Sequence, residues 1–259
     1  MANNNPIGLF DSGVGGTSIW KEIFKLLPHE NYIYLADSKN APYGQKSKDE
    51  IIALSIKNTR FLLQQKCKII VVPCNTATTN AIAELRSMFD VPFIGIEPAI
   101  KPAALNTKTH SIGILATQGT LNSTLFHETV SQYQSVHVME QIGHGLVQLI
   151  EQGDLNSPKI KKLLHEFLTP MIQANIDYLV LGCSHYPYLI PEIKKILPKS
   201  IRIIDSGEAV AKQTQLILNS INGFCDASQT SVQKFYSNGN PQILETLLSG
   251  NFKANYLDF

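Results

Sequence analysis

The sequence predicts an α/β protein built as two similar lobes, each a mostly parallel sheet flanked by helices, with the functional cleft between them. Three observations lead there. Apolar strand-like runs alternate with helix-like stretches along most of the 259 residues, the pattern of β-α units around a parallel sheet. Two of these runs end alike: Lys68 to Val72 closes on Pro73-Cys74-Asn75-Thr76, and Tyr178 to Gly182 closes on Cys183-Ser184-His185. The tripeptide Asp-Ser-Gly also occurs twice, at 11–13 and 205–207, each time after an apolar run. Together these repeats suggest a weak internal duplication.

Taken in order, Pro6 to Phe10 is a short apolar strand. Asp11-Ser12-Gly13-Val14-Gly15-Gly16 is a glycine-rich turn into a helix from Thr17 to Leu27. A dinucleotide fingerprint would need glycine at position 18 and finds Ser18, and no Gly-Lys-Ser/Thr follows, so neither phosphate-binding motif is met. The turn otherwise reads as one that permits tight packing, with a carboxylate at the strand's carboxyl edge. Asn31 to Ala36 is the second strand, and the loop from Asp37 to Gln45 ends in the turn Pro42-Tyr43-Gly44. Ser47 with Glu50 forms a capping box for a helix to about Gln65. Ile69 to Val72 are all β-branched and apolar, which predicts a strand buried on both faces. Pro73 ends its ladder, and a helix runs from Ala77 to Met88, followed by a strand from Val91 to Ile96.

Glu97 to Ile100 reads as a crossover, after which the alternation restarts. Strands are expected at Ser111 to Leu115, Val136 to Glu140, Tyr178 to Gly182 and Ile201 to Ile204. Helices are expected at Thr120 to Tyr133, within Gly143 to Glu151, at Ser157 to Ala174 and from Glu208 to Ile221. Tyr186-Pro187 reads as a turn. The tail offers a strand (Val232 to Tyr236), a helix (Pro241 to Leu248) and a short strand (Lys253 to Tyr256), and is expected to return to the first lobe. Residues 1–97 plus 208–259 would then carry Cys74, and residues 98–207 Cys183.

With 44% hydrophobic and 17% charged residues and a formal net charge of +1, the chain gives no electrostatic case for nucleic acid or an anionic membrane. No apolar run approaches the ~18 residues of a membrane span. The opening Met-Ala-Asn-Asn-Asn-Pro has neither the charged nor the apolar region of a secretory signal. Cys67, Cys74, Cys183 and Cys225 stand singly, without zinc spacing or a disulfide framework. A reduced, cytoplasmic protein without a bound metal is expected.

The two repeated cysteines carry the chemistry. Cys74 falls at the carboxyl edge of a strand, where open α/β sheets place ligands, and beside a helix N-terminus, which should depress a thiol's pKa. A thiolate on one side of a planar carbanion and a thiol on the other can remove a proton from one face and deliver one to the opposite face, inverting the carbon. Each thiol has a neighbour to help it: Asp11 at the same sheet edge as Cys74, and His185 two residues after Cys183. Ser12, Asn75, Thr76 and Ser184 offer hydroxyls and amides to carboxylates or enolate-like charge. Cys67 and Cys225 read as structural. Two rival readings are a disulfide switch between Cys74 and Cys183, which requires Cα atoms within ~7 Å, and a binding module with inert cysteines, for which the helper groups would have no use.

The stretches 7–16 (Ile-Gly-Leu-Phe-Asp-Ser-Gly-Val-Gly-Gly), 41–44 (Ala-Pro-Tyr-Gly), 73–77 (Pro-Cys-Asn-Thr-Ala), 95–99 (Gly-Ile-Glu-Pro-Ala), 181–187 (Leu-Gly-Cys-Ser-His-Tyr-Pro) and 204–207 (Ile-Asp-Ser-Gly) resemble the glutamate racemase family, in register across nearly the whole chain. The resemblance implies cofactor-independent, two-base interconversion of L- and D-glutamate, a supply of D-glutamate for peptidoglycan synthesis, and a homodimer. It assigns Cys74 to D-glutamate and Cys183 to L-glutamate, with Asp11 and His185 assisting. Asp11-Ser12, Tyr43-Gly44, Asn75-Thr76 and Ser184-His185 match substrate-binding pairs, and Glu151 matches an acidic residue assisting the second thiol. Ser184 stands where the family usually has threonine, and Pro73 and Gly119 where it has alanine; these departures bear on pocket size. An aspartate racemase of the same superfamily, and a non-catalytic glutamate-binding or inhibitory protein on this fold, are the alternatives.

Overall fold

Residues 2–259 are described by a computed structural model. The strands are β1 (Ile7–Asp11), β2 (Tyr32–Ala36), β3 (Ile69–Val72), β4 (Phe93–Gly95), β5 (Ser111–Ala116), β6 (His137–Ile142), β7 (Tyr178–Gly182), β8 (Arg202–Ile204), β9 (Gln233–Ser237) and β10 (Ala254–Tyr256). They form two sheets, ordered β10-β9-β2-β1-β3-β4 and β6-β5-β7-β8. Every pairing is parallel. The helices are α1 (Thr17–Leu26), α2 (Lys48–Gln64), α3 (Asn75–Met88), α4 (Ile100–Asn106), α5 (Gln118–Leu121), α6 (Thr124–Ser131), α7 (Leu146–Glu151), α8 (Pro158–Gln173), α9 (Ile190–Ile196), α10 (Gly207–Ser220) and α11 (Pro241–Leu247). Among the described residues no helix is long and apolar enough to cross a membrane.

The two sheets share one winding. β2-β1-β3-β4 and β6-β5-β7-β8 are both ordered second, first, third, fourth in their own run of chain. In this order the connections leaving the first and third strands diverge, which opens a crevice at their carboxyl ends. Asp11 ends β1, and Cys74 lies two residues past β3, which pairs with β1 in the register Leu9 opposite Val71. In the second sheet Ala116 of β5 lies opposite Gly182 of β7, so Thr117 and Cys183 emerge together. The cysteine repeat therefore occupies equivalent positions in the two lobes. The Asp-Ser-Gly repeat does not: the first follows the first strand of its sheet, the second follows β8, the fourth.

The core follows from the strand sequences. All four residues of β3 are buried, as are all five of β7, which continuous apolar runs require when helices cover both faces. The tail packs on the first lobe through β9, paired with β2, and through an aromatic cluster. Trp20 stacks on Phe24 at 4.9 Å and meets Phe235 and Phe252 edge-on at 4.8 and 5.0 Å. The capping box at Ser47 and Glu50 is formed as expected.

Several boundaries differ from the sequence reading, each for a local reason. α3 begins at Asn75, two residues early, because Cys74 itself is the N-cap. The single helix expected over 120–133 is two, since Thr117 caps α5 and Ser123 caps α6 by accepting the Phe126 N–H. α4 and α9 were not anticipated. Pro102 and Pro191 lie near their starts, where proline costs little because the first-turn N–H groups have no helical partner.

Candidate active site

Cys74 is buried, and its Sγ accepts a hydrogen bond from the Ala77 N–H at 3.4 Å, the first turn of α3. The expected depression of its pKa is overturned. Burial, with the nearby charge of Asp11, pushes the thiol well above its ordinary value, and the hydrogen bonds from Ala77 and Ser12 offset only part of this. One helix N-terminus does not repay the desolvation of a buried thiolate. Asp11 is also fully buried. Its carboxylate accepts the Gly16 N–H at 2.7 Å and the Ser184 hydroxyl at 3.4 Å. Burial raises its pKa, against the lowering pull of His185 and the Gly16 N–H. Asp11 and Cys74 thus form a desolvated pair in which each anion is a strong proton acceptor. Tyr43, in the turn between β2 and α2, donates to Asp37 at 2.5 Å, which holds Pro42-Tyr43-Gly44 over this pair.

The second thiol has different company. Cys183 Sγ lies 3.7 Å from His185 Nδ1, and His185 Nε2 lies 2.6 Å from Glu151 Oε1. Burial alone would lower the His185 pKa, yet its hydrogen bonds and charge interactions with Cys183 and Glu151 outweigh that and hold it well above the ordinary value. An imidazolium between a thiol and a carboxylate favours the thiolate. Glu151, at the end of α7, also accepts the Val14 N–H at 2.7 Å on Oε1 and the Ser38 hydroxyl at 2.7 Å on Oε2.

These contacts explain the glycine-rich turn after β1. A Cβ on Gly13 would lie 1.9 Å from Glu151 Oε1, and one on Gly15 would lie 2.2 Å from His185 Nδ1. The glycines admit the second lobe's acid and imidazole against the first lobe's backbone.

The two halves meet around a tight pocket lined in part by Ser12, Tyr43, Gly44, Cys74, Asn75, Thr76, Thr117, Val147, Cys183, Ser184 and His185. Of the residues singled out from the sequence, Asp11 and Glu151 stand just behind this lining, Asp11 beside Cys74 and Glu151 behind His185. Among the described residues no lysine or arginine lines this pocket. Both side-chain amide atoms of Asn75 are buried without a hydrogen-bond partner, which is costly unless a ligand meets them. The sequence reading missed Val14 and Ser38, and also Thr117 and Thr120, whose hydroxyls meet Thr76 at 2.8 and 3.3 Å across the cleft. The position of Thr117 after the first strand of its sheet was the available signal. Cys67 lies outside the cavity, its pKa pushed up to about 12 by burial.

The model of the Asp/Glu/Hydantoin racemase family matches residues 12–214. A glutamate racemase of Herpetosiphon aurantiacus is 45% identical over 216 residues, which is 83% of this chain and 85% of that protein. The crystal structure of a glutamate racemase isoform from Bacillus anthracis superposes with a TM-score of 0.87 at 30% identity, covering 99% of this chain and 98% of that one. The Escherichia coli glutamate racemase, solved with L-glutamate and the activator UDP-MurNAc-ala, superposes with a TM-score of 0.85 at 32% identity, covering 97% of each chain. With its sheets wound alike and its two cysteines at equivalent strand ends, the chain belongs to the Asp/Glu/Hydantoin racemase family, on its glutamate racemase branch.

Proposed function

We propose that this protein is a glutamate racemase that interconverts L- and D-glutamate with two cysteine bases and without a cofactor. The observation that carries the reading is the pair of buried cysteines, each at the same strand end of its own sheet, lining one cavity together with an unpartnered Asn75 amide. The L-glutamate bound to the Escherichia coli relative supports the substrate class.

In the L-to-D direction the Cys183 thiolate takes the Cα proton, and the electron pair delocalises into the α-carboxylate as an enolate-like carbanion. The Cys74 thiol then delivers its own proton to the opposite face. Turnover leaves Cys74 as the thiolate and Cys183 as the thiol. Asp11, protonated from solvent, returns a proton to Cys74, while Cys183 releases the abstracted proton to solvent and its thiolate is stabilised by His185, held by Glu151. The reverse direction exchanges the roles of the thiols. Ser12, Tyr43, Gly44, Asn75, Thr76 and Ser184 bind the substrate by neutral hydrogen-bond donors, joined by His185 and Asp11. A fixed cation beside Cα would over-stabilise a thiolate and weaken it as a base. In this reading residues 1–97 with 208–259 form the lobe of the D-specific base and 98–207 that of the L-specific base. The protein works in the cytoplasm as a homodimer, supplying D-glutamate for peptidoglycan and hence for cell-wall biogenesis and cell shape.

The test is direct. Protein treated with EDTA and freed of small molecules should convert L-glutamate to D-glutamate, and L-aspartate far more slowly. A folded sample that yields no D-glutamate, or yields it only after a cofactor is added, refutes the proposal.

A further inference from the structure

Glu151 is tethered at both oxygens, and two of its three hydrogen bonds come from the opposite lobe. Oε1 receives His185 Nε2 at 2.6 Å and the Val14 N–H at 2.7 Å, while Oε2 receives the Ser38 hydroxyl at 2.7 Å. The first two fix where Oε1 sits. The third stops the carboxylate from rotating and exchanging its oxygens. Ser38 does not line the cavity, so it has no direct route to substrate.

Ser38 is itself held from behind. The Asn238 side chain, just past β9, donates to Asp37 and accepts the Lys39 N–H at 2.9 Å. A Cβ on Gly239 would lie 2.7 Å from the Ser38 Cβ, so the returning tail packs directly against this serine. A chain of contacts therefore runs from the tail through Ser38 and Glu151 to His185 and Cys183.

We propose that Ser38 is a positioning residue for the second base, acting through Glu151 to hold His185 against Cys183. The inference rests on the racemase reading above. A hydroxyl that donates to a carboxylate forms a charge-assisted hydrogen bond, the stronger kind. Its loss leaves Glu151 free to turn and His185 less firmly held as the imidazolium. The charged and titratable groups facing that imidazole are Cys183, Glu151 and Asp11. Weaker support from His185 makes the Cys183 thiolate harder to form, a defect felt when Cys183 is the base.

The experiment compares Ser38→Ala and Ser38→Thr with the parent. In Ser38→Ala, kcat in the L-to-D direction should fall about tenfold. The acid limb of its pH profile should move up by about one unit, the titration equivalent of that factor. The limb in the D-to-L direction, where Cys74 is the base, should stay in place. Ser38→Thr keeps the hydroxyl and should restore both. Independently of activity, the nitrogen-15 titration of the His185 ring should shift to lower pH in Ser38→Ala. If the parent fails to racemise glutamate, the racemase reading falls, and the ring titration still decides the role of Ser38. An unchanged ring titration and pH limb in Ser38→Ala overturns the inference. So does an equal loss in both directions that accompanies a lowered Tm and is not restored by threonine.

Discussion

Gly15→Ala should disable the second base by a displacement that can be read from the structure. The new Cβ would lie 2.2 Å from His185 Nδ1, 2.5 Å from Cγ and 2.6 Å from Cε1. An ordinary contact is nearer 3.4 Å, so the ring of the buried His185 must retreat by about 1 Å from its present position. Retreat breaks or stretches the 2.6 Å contact with Glu151 and the 3.7 Å contact with Cys183. A hydrogen bond to a charged group contributes about 1.5–3 kcal/mol, equivalent to roughly 10- to 100-fold in kcat. Overpacking costs a further ~1–3 kcal/mol of stability. Because the enantiomers have equal free energies, kcat/KM must remain equal in the two directions, so asymmetry can appear only in kcat and KM taken separately. The assay is kcat from each enantiomer, beside a thermal melt. Gly8→Ala is the control, since its Cβ would lie 2.8 Å from Cys67 Sγ, away from the cavity. It should lose stability and keep its kcat per folded molecule. A Gly15→Ala protein with parental kcat from L-glutamate would refute the claim that this close approach holds His185 in place.

Other predictions concern the bases and the surrounding fold. Cys74→Ser and Cys183→Ser should each abolish racemisation, yet each should still eliminate a leaving group from one enantiomer of a β-substituted glutamate, opposite enantiomers for the two variants. Both variants acting on the same enantiomer would contradict the assignment of faces. Asp11 has its pKa raised above 3.8 by burial, so the folded protein binds that proton more tightly than the unfolded chain. The resulting stability is present below that value and is lost as the pH rises through the folded one. Asp11→Asn should therefore melt higher than the parent at neutral pH while losing activity, and a lower melting temperature across the whole range would count against it. Lys68 and Glu30 form a buried pair at 2.6 Å, so Lys68→Met should cost about 3–5 kcal/mol in denaturant titrations by stranding the carboxylate. Adding Glu30→Gln should recover much of that loss, and no recovery would contradict the pairing.

The sequence made the strands legible because continuous β-branched runs such as Ile69–Val72 have few other uses, and it made the thiols legible because both follow such runs. It could not reveal Glu151 as a junction between lobes, since the Val14 N–H and the Ser38 hydroxyl reach it over sequence separations of 137 and 113 residues. Nor could a helix N-terminus beside Cys74 show that burial would win and raise the thiol's pKa. The glycine-rich turn was visible, but its reason was not, because the groups that need the space come from the second lobe. The Asp-Ser-Gly repeat misled, since Asp205 follows the fourth strand of its sheet and Asp11 the first of its own.

The most direct test of two opposed thiols is racemisation in deuterium oxide. Starting from L-glutamate, with the reaction stopped at low conversion, the D-glutamate formed should carry deuterium at Cα, because Cys74 delivers a proton already exchanged with solvent. The remaining L-glutamate should stay protiated, because Cys183 holds the abstracted proton on the other face. D-glutamate that retains the original Cα proton, or deuterium entering recovered L-glutamate as fast as product forms, would mean that one base serves both faces and would contradict the account.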